Sequence, residues 1–182
     1  PLAQGLSLAL RYDNSLMNDN RRFAMGSNAW ASGKRLPRHK RSIAISTARS
    51  FMFNDYLDGR VRGATWDRIL PGDKANLDGT GSVFDVDDVD KEIERRCSEM
   101  DIHPAGELAG DGSTGSNDAW IVALGKARVE PGTRSLRLNV GDLSCNIVED
   151  AVELSFALGR GAFATSVLRE LANTNATGGT SA

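Results

Sequence analysis

Cysteine is scarce in this 182-residue chain, which contains Cys97 and Cys145 and no others. Two cysteines so far apart exclude a zinc ribbon and a disulfide scaffold, and a reducing, cytoplasmic setting is the default expectation. The chain has no apolar run near the ~20 residues that a membrane span needs, and its first residues show no signal-peptide pattern. No metal site is indicated, because His39 and His103 have no cysteine or carboxylate at a convincing ligand spacing. The remaining class is an ordinary globular protein.

Carboxylates are absent from residues 21–54, although the net charge of the whole chain is only −2. A basic stretch without acids is the usual electrostatic signature of a polyanionic partner. A solvated loop whose charges keep the protein in solution is the alternative interpretation. The cationic side chains of this stretch are Arg21, Arg22, Lys34, Arg35, Arg38, Lys40, Arg41 and Arg49.

The opposite balance holds in residues 85–101, where carboxylates outnumber the three cations Lys91, Arg95 and Arg96. An EF-hand loop that began at Asp85 would need glycine at its sixth position and glutamate at its twelfth, where this chain has Asp90 and Arg96. Calcium binding of that kind is excluded. We predict a solvated helix face instead, with an apolar stripe running through the acidic residues.

Hydrophobic periodicity predicts a mixed α/β chain with short strands. We expect a helix near the start (Leu2 to Leu10), an irregular loop over residues 18–40 and a helix over 43–57 capped by Ser42. The glycine-rich stretch 106–118 reads as a loop, because no Gly-Lys-Ser/Thr follows it to hold a phosphate. Strands are predicted at 75–77, 83–86, 136–140, 143–148 and 151–158, and further helices after Asp87, at 119–128 and at 163–173. In the strand 151–158 apolar and polar residues alternate, which predicts that one face is buried.

Two long segments carry motifs of a known family. Residues 38–54 read RHKRSIAISTARSFMFN and are similar to the pattern K-R-x-x-x-x-S-A-A-R-S-x-x-F-N. Residues 154–171 read LSFALGRGAFATSVLREL and are similar to F-x-L-P-x-G-x-[YF]-A-T-x-V-L-R-E-L, with Gly159 where that pattern has proline. The stretches 70–73 and 79–82 also match in order and character. Through most of its length the chain thus resembles the TruD-type tRNA pseudouridine synthases.

The resemblance implies an α/β (α+β) fold with a mixed or antiparallel sheet of short strands. Residues 1–133 would form part of the TRUD-type insertion domain, and residues 134–182 the C-terminal segment of the catalytic domain. The family isomerises uridine to pseudouridine in tRNA with an Asp in the motif G-x-K-D-x-x-A-x-T, and it needs no metal or organic cofactor. That motif has no counterpart here, since Gly72-Asp73-Lys74 has acid and base in the wrong order. We therefore expect a fragment that is inactive alone and has the N-terminal catalytic half of the same protein as its partner.

Site residues follow from the basic stretch and from the resemblance. For RNA binding we predict Arg38, Lys40, Arg41 and Arg49. The resemblance also implies that Phe163 walls the uridine pocket and that Arg169 faces the catalytic carboxylate or a phosphate. Core packing for Phe163, and an ion pair with Glu170 or Asp150 for Arg169, are the alternatives. For the whole chain, a non-catalytic RNA-binding module is the second hypothesis, and a structural fragment is the third.

Overall fold

The computed structural model describes residues 6–9, 25–115, 117–149, 151–159, 162 and 164–171. The chain divides into two compact units, which we call the larger unit (Arg11–Leu136) and the smaller unit (Pro1–Leu10 with Arg137–Ala182). The assignment of residues 1–133 and 134–182 to two parts of a family protein stays a prediction. Among the described residues, no helix combines the length and the apolar composition needed to cross a membrane.

Within its described residues, the larger unit has four helices and a four-stranded antiparallel sheet. These elements are α1 (residues 25–31), α2 (Arg38–Arg62), β2 (Asp73–Leu77), β3 (Val83–Val86), α3 (Lys91–Ser98), β4 (Ile102–Leu108), α4 (Asp118–Lys126) and β5 (Gly132–Ser135). The order of the strands in the sheet is β3-β2-β4-β5. The long helix α2 packs against the central strand β4.

Three buried clusters stabilise the larger unit in the part that the structure describes. The first joins α1, α2 and α4 around Trp30, Ala48 and Trp120. A second cluster joins α3 to the sheet, with Cys97 and Ile102 buried within it. The third joins α2 to Leu136 through Phe53 and Leu57. Burial of a large apolar side chain such as Phe53 or Leu57 contributes on the order of 2 kcal/mol. The first and third clusters therefore hold α2 in place, and the second holds α3 against the sheet.

The described part of the smaller unit contains a three-stranded antiparallel sheet and one helix. These elements are β1 (Leu6–Ala9), β6 (Arg137–Val148), β7 (Ala151–Leu158) and α5 (Ala164–Leu171). The order of the strands is β1-β6-β7. Strand β6 is central and is interrupted by an irregularity between Gly141 and Ser144.

The predicted fold class, mixed α/β with antiparallel strands, is confirmed. Three local predictions are wrong. The expected helix near the start is the strand β1 over Leu6–Ala9, because its backbone pairs with β6 far away in the sequence. Residues 25–31 of the expected loop are helical, and α2 begins at Arg38 rather than after Ser42. The stretch 106–118 is not wholly a loop, since β4 extends to Leu108.

Candidate nucleic-acid interface

Cations gather where α2 begins, and we call this group the basic cluster. All of its side chains are exposed, and none of them forms an ion pair with a carboxylate in the part of the chain that the structure describes. Unpaired cations on one exposed surface produce a positive potential that attracts anions. The basic cluster consists of Lys34, Arg35, Arg38, Lys40 and Arg41.

The first turn of α2 adds to this potential. Pro37 is the N-cap, and no side chain there accepts a hydrogen bond from the helix. The amide of Arg41 donates to the Pro37 carbonyl oxygen over 2.9 Å, which leaves the three preceding amides without an acceptor within the helix. No acidic residue lies in this turn. Free amides and the helix dipole both favour an anion at this position.

Arg49 lies about two turns further along α2 and is only half-buried. Its Nε donates to the Ala109 carbonyl oxygen over 2.8 Å, and its Nη2 donates to those of Leu108 and Glu130 over 3.3 and 3.1 Å. These bonds fasten α2 to the end of β4 and to the segment before β5. Three of the predicted RNA-binding residues (Arg38, Lys40 and Arg41) are therefore together, and Arg49 is apart from them. Its role in RNA binding stays a prediction.

A cleft of about 450 Å³ opens beside the basic cluster. Lys34, Arg35 and Arg41 line it, and so does Lys126 from the last turn of α4. Sequence reasoning missed Lys126, because it lies far from the carboxylate-free stretch and reaches the cleft only through the packing of α4 on α1. A lysine at the end of an amphipathic helix is also an ordinary partner of the helix dipole, so its sequence context carries no signal of a site.

Asp73 is held in a buried ion pair and is not free for chemistry. Both of its carboxylate oxygens accept from Nη1 of Arg60 over 2.9 Å, and one oxygen also accepts from the amide of Leu70 over 2.8 Å. Arg60 also donates to the carbonyl oxygens of Thr65 and Arg68. The stretch 70–73, which matches the family in character, thus fixes the turn before β2.

The middle of the acidic stretch forms the helix α3, with Asp90 as its N-cap. Arg95 pairs with Glu92 and Glu99 on the exposed face, and the hydrogen bond from Arg95 lowers the pKa of Glu92. Arg96 pairs with Asp101. These arginines are neutralised by their neighbours, in contrast to the basic cluster.

The two residues that the resemblance places at the uridine pocket are at the end of the chain. Phe163 lies outside the described residues. Arg169 lies in α5, but its side chain is outside the described part of the structure. In the same helix Val167 is fully buried. The roles of Phe163 and Arg169 stay predictions.

Comparison with known proteins gives relatives named tRNA pseudouridine synthase D, although no family model matches the chain. A tRNA pseudouridine synthase D from Methylococcus capsulatus is 39% identical over 153 residues, which cover 76% of this chain and 43% of that protein. A tRNA pseudouridine synthase D from Nitrosococcus oceani is 35% identical over 163 residues, which cover 80% and 46% respectively. The chain spans about half the length of the curated relatives it matches.

Structural comparison gives the same kind of protein. A crystal structure from Methanosarcina mazei, provisionally assigned as a tRNA pseudouridine synthase D (TruD), matches with a TM-score of 0.54. The match covers 85% of this chain and 44% of that one at 18% identity, so it supports the fold alone. Over most of its own length, the chain is therefore a relative of the TruD-type tRNA pseudouridine synthases.

Proposed function

We propose that this chain contributes the RNA-holding part of an enzyme that isomerises uridine to pseudouridine in tRNA. The similarity to proteins named tRNA pseudouridine synthase D supports the reaction and the substrate. The basic cluster at the start of α2 carries the proposal for this chain, because its cations are exposed and unpaired within the described residues. A cytoplasmic location, where tRNA is modified, belongs to the same proposal.

The proposed reaction needs two parts of the protein, one that holds the RNA and one that supplies the catalytic Asp. Uridine must leave its stack before an enzyme can act on it, and this costs a few kcal/mol. Cations that hold the RNA backbone on both sides of the target offset that cost, because each bound phosphate releases condensed counterions. The N-terminal catalytic half supplies the Asp in our proposal. Phe163 would wall the uridine, and Arg169 would face the carboxylate or a phosphate.

Arg38, Lys40 and Arg41 are the phosphate contacts that we assign to the first turn of α2. Arg49 has a different position, because Nε and Nη2 already donate to backbone carbonyls. Its Nη1 has no hydrogen-bond partner among the described residues and is the nitrogen with which Arg49 would contact RNA.

The test replaces Lys40 and Arg41 with alanine and measures the affinity for an unmodified tRNA transcript at several salt concentrations. Log affinity falls with log salt by roughly 0.7 to 0.9 for each phosphate contact. We expect K40A/R41A to weaken binding and to make this slope shallower by between one and two.

The matched control is R95A/R96A, which changes the net charge by the same amount. Arg95 and Arg96 are already paired with carboxylates of the same region, so their loss removes no free positive surface. Equal losses of affinity in the two double variants would mean that the attraction is diffuse, and the interface would be refuted.

A non-catalytic RNA-binding module is the second candidate function, because the family's catalytic motif is not found in these 182 residues. The two candidates differ when the N-terminal half of a relative, such as the protein from Methylococcus capsulatus, is added to this chain. Pseudouridine formation that needs both pieces supports the enzyme, and RNA binding without turnover supports the module.

A further inference from the structure

The cleft beside the basic cluster has a rigid wall. Its apolar lining residues Trp30, Leu36, Ala123 and Ala127 belong to the first buried cluster of the larger unit or pack against it. Side chains in such clusters interdigitate closely and keep their positions. The shape of the cleft is therefore set by the core and does not depend on a ligand.

The loop that forms the rim is fixed as well. The amide of Gly33 donates to the Trp30 carbonyl oxygen and the amide of Lys34 to that of Ala29, both over 3.0 Å. This pair of bonds is a Schellman motif, in which glycine takes the left-handed conformation, and Gly33 has φ +86°. The motif ends α1 and holds the backbone of Lys34 at the rim, next to Arg35.

The charge of the cleft has a single sign. Lys34, Arg35, Arg41 and Lys126 line it, and no carboxylate does so among the described residues. They come from a loop and two helices, α2 and α4, so tertiary packing brings them together. The volume of the cleft, about 450 Å³, lies within the ~300–1,000 Å³ typical of small-ligand sites. The cleft is therefore more concave than a flat basic surface.

We propose that this cleft binds one phosphodiester group of the RNA strand together with its ribose, and that Lys126 contacts the phosphate from the side opposite α2. The proposal rests on the proposed function and adds a defined subsite to it. The four cations that line the cleft attract the phosphate, and the apolar wall gives the ribose a surface against which to pack. A strand that enters the cleft is held at a fixed register, which the exposed cations of α2 alone cannot impose.

The test is Lys126→Ala in the full chain, with Lys91→Ala as a control that also removes one exposed lysine. We expect K126A to make the salt dependence of tRNA binding shallower by about 0.7–0.9, which corresponds to affinity about five- to eight-fold weaker at 0.1 M salt. K91A should match the wild type. Lys126→Arg keeps the charge and should retain most of the affinity. If Lys126 served only to stabilise the α4 helix dipole, K126A would lower the melting temperature and leave the affinity for tRNA unchanged.

Backbone amide signals of Gly33 and Lys34 provide the second readout, in titrations with a short uridine-containing RNA and with inorganic phosphate alone. Shifts with RNA that K126A weakens support the subsite. If inorganic phosphate instead saturates the cleft tightly and RNA does not displace it, the cleft is a site for a free anion and the proposal is overturned.

If K40A/R41A weakens tRNA binding while K126A behaves like K91A, the subsite is wrong and the proposed function stands. If neither variant weakens binding, the RNA interface itself is wrong.

Discussion

The third buried cluster of the larger unit and the β6–β7 hairpin of the smaller unit differ in how far their apolar side chains are buried. In the larger unit Phe53, Leu57 and Leu136 are 2% exposed or less. In the smaller unit the end of the β6–β7 hairpin carries Ile147 at 81% and Val152 at 61% exposed, and these two residues are directly paired across the strands. A cross-strand apolar pair stabilises a sheet mainly when something packs over it. The larger unit thus has its own core, and the hairpin presents an apolar face that the described residues do not cover.

From the alternation of apolar and polar residues in β7 we predicted that one face of the strand is buried. The structure confirms this only in part. Leu154, Phe156 and Leu158 are half-buried, whereas Val152 is exposed. The pattern therefore identified the correct face of the strand but overestimated its burial near the hairpin. An exposed edge strand with an apolar face favours association with other chains.

The largest effect is expected from the buried ion pair of the larger unit. Arg60→Met leaves Asp73, whose side chain is 12% exposed, without its partner. Removing one partner of a buried pair costs about 3–5 kcal/mol of unfolding free energy. Chemical denaturation followed by tryptophan fluorescence measures this, because Trp30, Trp66 and Trp120 all lie in the larger unit.

Arg62→Met is the control for that measurement. Arg62 lies on the same helix and pairs with Asp58 on the surface, where its side chain is 80% exposed. Such a surface pair contributes about 0.5 kcal/mol or less. Equal losses in the two variants would show that the Arg60–Asp73 pair is not buried in solution.

A matched pair of truncations compares the two units directly. Leu57→Ala should cost about 2–5 kcal/mol, because it leaves a cavity in a closed cluster. Ile147→Ala should change stability by no more than about 0.5 kcal/mol, as is usual for exposed positions. Hydrogen exchange of amides in α2 and in β6 reports each unit separately. A large loss in the β6 amides on Ile147→Ala would contradict the comparison, since it would mean that the hairpin face is packed.

Two glycines give the smallest expected difference between the two units. A Cβ added at Gly106 would lie 2.8 Å from two ring carbons of Tyr56 and 3.1 Å from the Phe53 ring, so Gly106→Ala should cost about 1–3 kcal/mol through overpacking of α2 on β4. At Gly141 of the smaller unit the nearest side-chain atom is the Cβ of Ala157 at 3.6 Å. Gly141→Ala should therefore be neutral or slightly stabilising. Thermal unfolding of both variants tests whether close packing is confined to the larger unit.

Sequence reasoning was most accurate where the pattern is local. The strands over residues 83–86 and 151–158 and the acidic helix were predicted near their observed positions, because alternation and helical spacing are local signals. The basic stretch also predicted the exposed cations at the start of α2. The bounds of that helix were missed at both ends. Its start was missed since the N-terminus has no capping side chain, and the helix continues past residue 57 to Arg62.

Features that depend on distant contacts were missed. Strand β4 is buried on both faces over Ile102–Gly106, so it shows no alternation, and Pro104 argues against a central strand. Strand β1 is defined by pairing with β6, about 130 residues later. Lys126 joins the cleft only once α4 has packed. In each case the determining interaction lies outside any local window of sequence.

The uncapped, cationic first turn of α2 implies a trade-off between stability and function. Arg38, Lys40 and Arg41 stand at the positive end of the helix dipole, where each like charge costs about 0.3–1 kcal/mol at low ionic strength. An acidic residue at the same place would stabilise the helix and repel RNA. Under our proposal Lys40→Glu therefore moves the two properties in opposite directions. Helices are ordinarily stabilised by acidic residues in their first turn. In our proposal, α2 departs from this rule at the place where it binds an anion.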